Sequence, residues 1–271
     1  MNLVLCVVFA ASAAASHAAA EAPAAGPMTP LEQSALLNEA NKAFQAALDT
    51  RDQRESEANY RKAIDAYQRL VDSGIRNGKL YYNLANARFR LNDVSRAVVN
   101  YKRALRLMPG DEQVRTNLAY ARSRVQDKIE TSGRKALAES LFFWHFDTSL
   151  KSRATAAIAL YVIVWGLLIA RTLLGVRHLR WPVLAAAVLT VALGASCAVG
   201  LSDRGRHREG VIVAEQVTVR KGGGISSEPQ FDKPLHAGVE FTLEEVRGDW
   251  YRIRLNDGKE GWIPDSSAEL I

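Results

Sequence analysis

ATAAIALYVIVWGLLIA, residues 154–170, and WPVLAAAVLTVALGASCAVGL, residues 181–201, are two uncharged apolar runs joined by the short basic bridge RTLLGVRHLR. Crossing a hydrocarbon core of roughly 30 Å takes about 20 helical residues. The first run reaches that length when it continues to Val176. Backbone N–H and C=O groups inside lipid must bond within their own segment, so both runs are predicted helices. The bridge is too short for a domain and predicts a helical hairpin with spans at 154–176 and 181–201. A hairpin returns the chain to the side it left, so the segments before and after it are expected on one side of the membrane. A pair of core helices in a soluble protein is the competing reading, and the flanks offer no amphipathic partners for it.

The 271 residues are 24% charged and 48% hydrophobic, an average over two polar arms and an apolar middle. The net charge of +6 is modest, and the bases crowd the membrane flanks (Lys151, Arg153, Arg171, Arg177, Arg180, Arg204, Arg206, Arg208). Anionic headgroups are the natural partner for bases so placed. No basic run interleaves with aromatic residues, so nucleic acid is not expected. Cys6 and Cys197 both lie in apolar runs and suggest neither disulfide, metal site nor redox centre. Residues 1–20 read as a secretory signal, with the apolar core LVLCVVFAA followed by small residues, and 21–30 as an Ala/Pro/Gly linker. A signal there exports the first arm, and the hairpin then exports the second. The bridge with Arg171, Arg177 and Arg180 would lie inside, as positive-inside bias prefers. Lys151, Arg153 and the Arg204–Arg208 cluster then lie outside, so the topology rests on the signal, whose alternative is a retained anchor.

From 31 to 135 the pattern is helical, and GKLYYNLANARFRLNDVSRAVVNYKRALRLMPGD, residues 78–111, resembles the tetratricopeptide repeat over its whole length. Tyr81, Leu84 and Ala85 take the large-large-small positions of a first helix, Ala97, Tyr101 and Ala104 the small-large-small positions of a second, and Pro109 closes the unit. Small residues let two antiparallel helices approach while Leu84 and Tyr101 fill the space between them. Asn92-Asp93 is the expected turn. Upstream, Ala63 and Tyr67 echo Ala97 and Tyr101, behind a first helix at Leu36–Leu48 and an insertion around Thr50–Ser56. Downstream, Glu112–Gln126 begins a third unit and then turns polar, as a solvating terminal helix does. An array this short is expected to bind one short segment or to dock on a partner domain.

The first helices of such units line a concave face. Here that face is expected to carry Lys79, Tyr82, Asn83, Asn86, Phe89 and Arg90, with Asn117 beyond. Its asparagines resemble part of the carboxylate clamp by which some tetratricopeptide domains hold a peptide C-terminus, but Tyr82 stands where the clamp has a lysine. The alternative is that Asn83 and Asn117 bond between helices. Residues 136–153 include Leu141-Phe142-Phe143-Trp144-His145-Phe146, an aromatic cluster suited either to the headgroup level or to contact with the array.

From residue 209 to 271 the period becomes two. Strands are expected at Val211–Val213, Val217–Arg220, Glu240–Val246, Asp249–Leu255 and Gly261–Ile263, with a hairpin turn at Asn256-Asp257-Gly258 and a short closing strand. So many short strands predict a closed barrel, and their order resembles the bacterial SH3-like domain, an all-β fold whose members commonly bind cell-wall peptides or proteins. By that resemblance a groove lies between the long loop 221–236 and the Trp250–Trp262 surface, flanked by Arg220 and Phe231. The alternative makes Trp262 a core residue and Trp250 a brace.

No phosphate loop, H-E-x-x-H, C-x-x-C or G-x-S-x-G motif is present. The five histidines are dispersed, Gly222–Gly224 lacks a strand-to-helix context, and Glu244-Glu245 on a regular strand would point to opposite faces. No enzymatic activity, cofactor or metal is expected. The order of parts, an all-α array, a two-helix transmembrane hairpin and an SH3-like barrel, resembles the E-type proteins of the Bacteroides aerotolerance operons. The segments Tyr81–Ala87 and Asn100–Leu105 carry the array part of that likeness. The resemblance implies a bacterial inner-membrane scaffold with both arms in the periplasm. Its implied partners are membrane proteins with von Willebrand factor A domains and a MoxR-type ATPase system. A competing function is a peptidoglycan-binding envelope sensor or regulator of a wall enzyme.

Overall fold

A computed structural model describes residues 28–129, 148–175, 177–206 and 208–271. The expected signal at 1–20, most of the linker and the aromatic cluster at 141–146 lie outside the described residues.

Five helices form the first arm: α1 (Pro30–Asp49), α2 (Gln53–Asp72), α3 (Gly78–Arg90), α4 (Val94–Leu107) and α5 (Glu112–Ser123). Each starts on a polar cap that satisfies amides left open at a helix N-terminus. Thr29 and Glu32 form a reciprocal box on α1, Asp52 caps α2, Asn77 caps α3, Asp93 caps α4 and Asp111 caps α5. Asn92 supplies the left-handed residue (φ 61°) of the α3–α4 turn. Ala63, Ala85, Ala97 and Ala104 are fully buried where paired helices approach, and Leu84, Tyr67 and Tyr101 fill the spaces between. The helices thus form a tetratricopeptide-like array.

The expected insertion at Thr50–Ser56 is not a loop. Only Thr50–Asp52 separates α1 from α2, and the extra residues extend both helices to 20 residues, against 13 and 14 for α3 and α4. Lengthening a hairpin by whole turns keeps its contact faces in register.

Two long apolar helices follow, α6 (Leu150–Leu174) and α7 (Arg180–Arg206), packed on each other and joined through Gly175 (φ 64°) and a 3-10 turn at Arg177–Leu179. Both are long and apolar enough to cross a membrane. Their outward faces leave Ile158, Val162, Trp165, Val188 and Val191 more than half exposed. Arg153, expected among the headgroup-facing bases, turns inward instead. It is 7% exposed and donates to the Ser196 carbonyl (3.2 Å) and Oγ (2.7 Å) across the pair.

The second arm contains β1 (Arg208–Ile212), β2 (Gln216–Val217), β3 (Leu235–His236), β4 (Glu240–Arg247), β5 (Trp250–Leu255), β6 (Glu260–Pro264) and β7 (Ala268–Leu270). Five of them make an antiparallel sheet in the order β6-β5-β4-β1-β7, and β2-β3 is a separate ribbon. Ile212, Val219, Phe241, Ile253 and Ile263 are its buried core. The expected closed barrel is not formed, because β6 and β7 are opposite edges of an open sheet. The physical reason is that each edge has another cover. Backbone groups of Arg220 and Trp262 exchange two bonds of 2.8 Å at β6. At β7, Arg103 donates to the Leu270 carbonyl (2.6 Å) and Arg106 to that of Ile271 (2.5 Å).

Those arginines belong to α4, so the two arms pack directly on one another. Val211 of β1 is fully buried in a cluster with Val98, Val99, Leu118 and Ala121 of the array. Ile129 packs in turn against the sheet core. Glu240 accepts from Lys102 Nζ (2.7 Å) and Arg122 Nη2 (2.8 Å), Arg103 pairs with Glu269 (2.7 Å), and Asp127 accepts from the His236 amide (2.7 Å). The polar end of α5 is therefore engaged by the sheet rather than simply solvated. Gly238 (φ 97°) lies so near Val125 that a Cβ would stand 2.6 Å from Cγ2.

A β-bulge between Leu243 and Glu245 corrects another expectation. The shifted register lets both Glu244 and Glu245 reach the arginine-bearing side of β5, at 3.2 Å from Arg254 and 3.4 Å from Arg252. Both carboxylates are ion-paired structural groups.

Candidate functional site

Helices α1, α3 and α5 place three similar side-chain pairs on the inner face of the array: Asn41 and Phe44, Asn86 and Phe89, Asn117 and Tyr120. A spacing of three residues stacks each pair on one helix face. Behind them, Tyr67 of α2 and Tyr101 of α4 reach through from the second helices.

Tyr101 Oη donates to Asn86 Oδ1 (2.6 Å), while Asn117 Nδ2 donates to Asn86 Oδ1 (3.2 Å) and to Tyr82 Oη (3.0 Å). One repeat earlier Tyr67 Oη donates to Asn41 Oδ1 (2.7 Å), and Asn83 is its second partner. Tyr67 to Tyr101 and Asn83 to Asn117 are each 34 residues, so the set recurs with the repeat. Burial pushes the Tyr67 phenol up to about 12, against the Asn83 hydrogen bond. Burial and the neighbouring Tyr82 also raise that of Tyr101. Both therefore act as neutral hydroxyls.

Over this layer lies a groove of about 600 Å³ lined by Tyr82, Asn86, Phe89, Arg90 and Asn117 together with Phe44, Leu48, Tyr101 and Tyr120. The first five are sequence-expected site residues. Phe44, Leu48 and Tyr120 were not among them, although the repeated Asn-x-x-Phe/Tyr spacing carries the signal for two. Leu48 depends on the lengthening of α1, which no motif marks. Phe89 and Tyr120 rings stand 5.4 Å apart and tilted. Arg90 is the one ionisable cation in the lining, and no carboxylate joins it. The other two expected residues, Lys79 and Asn83, line an adjoining depression of about 430 Å³ with Asn41 and Leu37.

In the second arm the four expected groove residues are divided. The loop 221–228 closes on Trp262, which is 6% exposed: a Cβ on Gly223 would lie 3.1 Å from the indole. That approach is the physical use of the glycine run. Arg247 covers the same ring at 4.7 Å. Arg220 pairs with Trp262 through the backbone, and its guanidinium donates to the Ser227 carbonyl (2.7 Å). Trp250, opposite Arg247 and Pro264, is half-buried. Phe231 is elsewhere, beneath Lys259 Nζ (5.9 Å) in a cleft of about 530 Å³ between the sheet and Gln126–Ile129. The loop and Trp262 thus make a closed contact.

A tetratricopeptide repeat family model matches residues 78–111. No curated protein matches the chain. Repeats of this kind form scaffolds for protein–protein interaction, and the matched residues include the central helix of the groove.

Proposed function

We propose that this protein is a non-catalytic, membrane-anchored adaptor that holds a segment of a partner protein in the α1–α3–α5 groove. The observation that carries the reading is the groove itself: aromatic walls, a layer of amides, and one arginine, on a repeat of the interaction-scaffold type. Aromatic side chains give contact area with little loss of rotamer freedom, and amides orient polar groups.

On this reading α6 and α7 span a bilayer, since apolar faces so exposed are otherwise costly in water. Both arms then face one compartment, which we take to be the bacterial periplasm. On the same proposal residues 209–271 are an SH3-like unit that braces the array at the membrane, which their docking on α4 supports. Membership of an aerotolerance-type envelope complex, with von Willebrand factor A domain proteins and a MoxR-type ATPase system, belongs to the same proposal. The covered state of Trp262 favours bracing over a peptidoglycan-binding sensor.

Photo-crosslinking in intact membranes tests this. A crosslinker at Tyr120 (57% exposed, in the groove) is expected to give a discrete protein adduct. One at Leu107 (49% exposed, on α4) is expected to give none. Equal adducts from both positions would remove the groove as the partner site.

A further inference from the structure

Tyr161 and Trp165 stand one turn apart in the middle of α6, with ring centroids 6.2 Å apart in an edge-to-face contact. Both look outward from the helix pair. They are more than half exposed, on one face with Ile158, Val162 and Ile169. The uncharged run 154–170 is centred on Val162, nine residues from Arg153 and nine from Arg171. At 1.5 Å per residue, either charge is about 13 Å away along the helix. Tyrosine and tryptophan at a bilayer surface keep the ring in lipid and the polar atom among the headgroups. A phenol one residue from the centre of the run is too short to reach across half of a core roughly 30 Å thick.

The other hydroxyls of these helices are satisfied. Thr155, Thr172 and Thr190 each donate to the carbonyl of the preceding turn, and Ser196 accepts from Arg153. The Tyr161 hydroxyl and the Trp165 indole N–H have no hydrogen-bond partner among the described residues. A donor in hydrocarbon without an acceptor costs free energy that a neighbouring helix can remove. The two groups complement one another, since an indole N–H only donates and a phenol oxygen also accepts. In a parallel helix pair, a residue packs among those three and four positions away on the facing helix. Trp165 of one copy then meets Tyr161 of the other, and a two-fold axis along the membrane normal makes the contact twice. Gly166 beside them has open space where a Cβ would stand, which lets a second backbone approach.

We infer that this face of α6 pairs with the same face of a second copy of the chain. Trp165 Nε1–H of each copy donates to Tyr161 Oη of the other. A different protein's helix would have to bring its own acceptor to this depth, whereas this chain carries the matching one. The inference rests on the proposed reading of α6 as a membrane span.

The test uses the full chain in membranes. Alkaline carbonate is expected to leave it there; extraction would remove the span reading and the inference with it. With the protein retained, a photo-crosslinker at Val162 is expected to join two differently tagged copies. One at Val191, on α7 and equally outward, is expected not to. An adduct with another protein instead, no adduct, or equal adducts from both positions would overturn the inference and leave the spans intact. In phosphatidylcholine vesicles, energy transfer between labelled copies should fall as lipid is added. Tyr161→Phe, which removes only the hydroxyl, should raise the apparent dissociation constant about tenfold to hundredfold, from two bonds of about threefold to tenfold each. An unchanged constant in Tyr161→Phe would overturn the pairing.

Discussion

Replacing Glu240 by Gln tests how the arms are joined. Burial opposes ionisation of this carboxyl, but the hydrogen bond from Arg122 and the charges of Lys102 and Arg122 outweigh it and hold it at about 2. Against the ordinary 4.5 this corresponds to about 3 kcal/mol favouring the ionised, docked state. The variant loses less than that, because Lys102 keeps Glu209 at 3.0 Å and the Arg122 side chain is 49% exposed. A net loss of about 2 kcal/mol, near thirtyfold in the docking equilibrium, is expected at neutral pH. Hydrogen exchange of the full chain reads it as faster exchange of exposed α4 and β1 amides, with α1 and α2 unchanged. A carboxyl with a depressed value stabilises above its unfolded value and loses that contribution as pH falls through the folded one. Wild-type docking should therefore weaken from about pH 4.5 downward and lose this contribution near pH 2. The variant should lack that part of the profile. Unaltered α4 exchange in Glu240→Gln, or an identical acid profile, would refute the reasoning.

Gly238→Ala should lower stability by roughly 2–4 kcal/mol, since it combines a positive φ with overpacking against Val125. The thermal midpoint should fall, with most of the loss at the junction between arms. Ala97→Trp should prevent the array from folding, because Ala97 is fully buried where α3 and α4 approach; far-ultraviolet circular dichroism would show the lost helix. Cysteines placed at Ser73 and Lys259 should label from the same side of sealed vesicles, and one at Gly175 from the other. Labelling of Ser73 and Lys259 from opposite sides would exclude the hairpin.

The repeat was legible because its determinants are local and strictly spaced: alanines where helices touch, large residues between them, a proline at the end. The two long apolar helices were legible because charge is absent over long enough runs. Bulges and closures are not local. Glu244 and Glu245 look like ordinary neighbours on a strand until β5 fixes the register that displaces one of them. A closed barrel was the natural reading of many short strands, yet α4 supplies donors to the β7 edge from more than 160 residues away in sequence. One sign of that docking was in plain view. Val211-Ile212-Val213 does not alternate, and an uninterrupted apolar strand is one buried on both faces. Ile212 faces the sheet core and Val211 the array. At the expected groove the close approach is not local either: the glycine run lets the long loop close on the Trp262 indole, a contact that only the packed sheet displays.

Helix α4 ties these parts into one device. Tyr101 on one side bonds Asn86 in the floor of the groove, while Lys102, Arg103 and Arg106 on the other hold the sheet. The sheet continues directly into the helix pair, with only His207 between α7 and β1. A partner held in the groove is thus connected to the sheet through packed side chains and paired charges. Arms that pack on each other must also occupy one side of any barrier crossed by the helices between them. Two crossings satisfy that condition and one does not. If the two apolar helices cross a membrane, the interface between the arms favours two crossings independently of hydropathy. Disrupting it through Glu240 or Gly238 should free the array from its fixed position while leaving those helices in place.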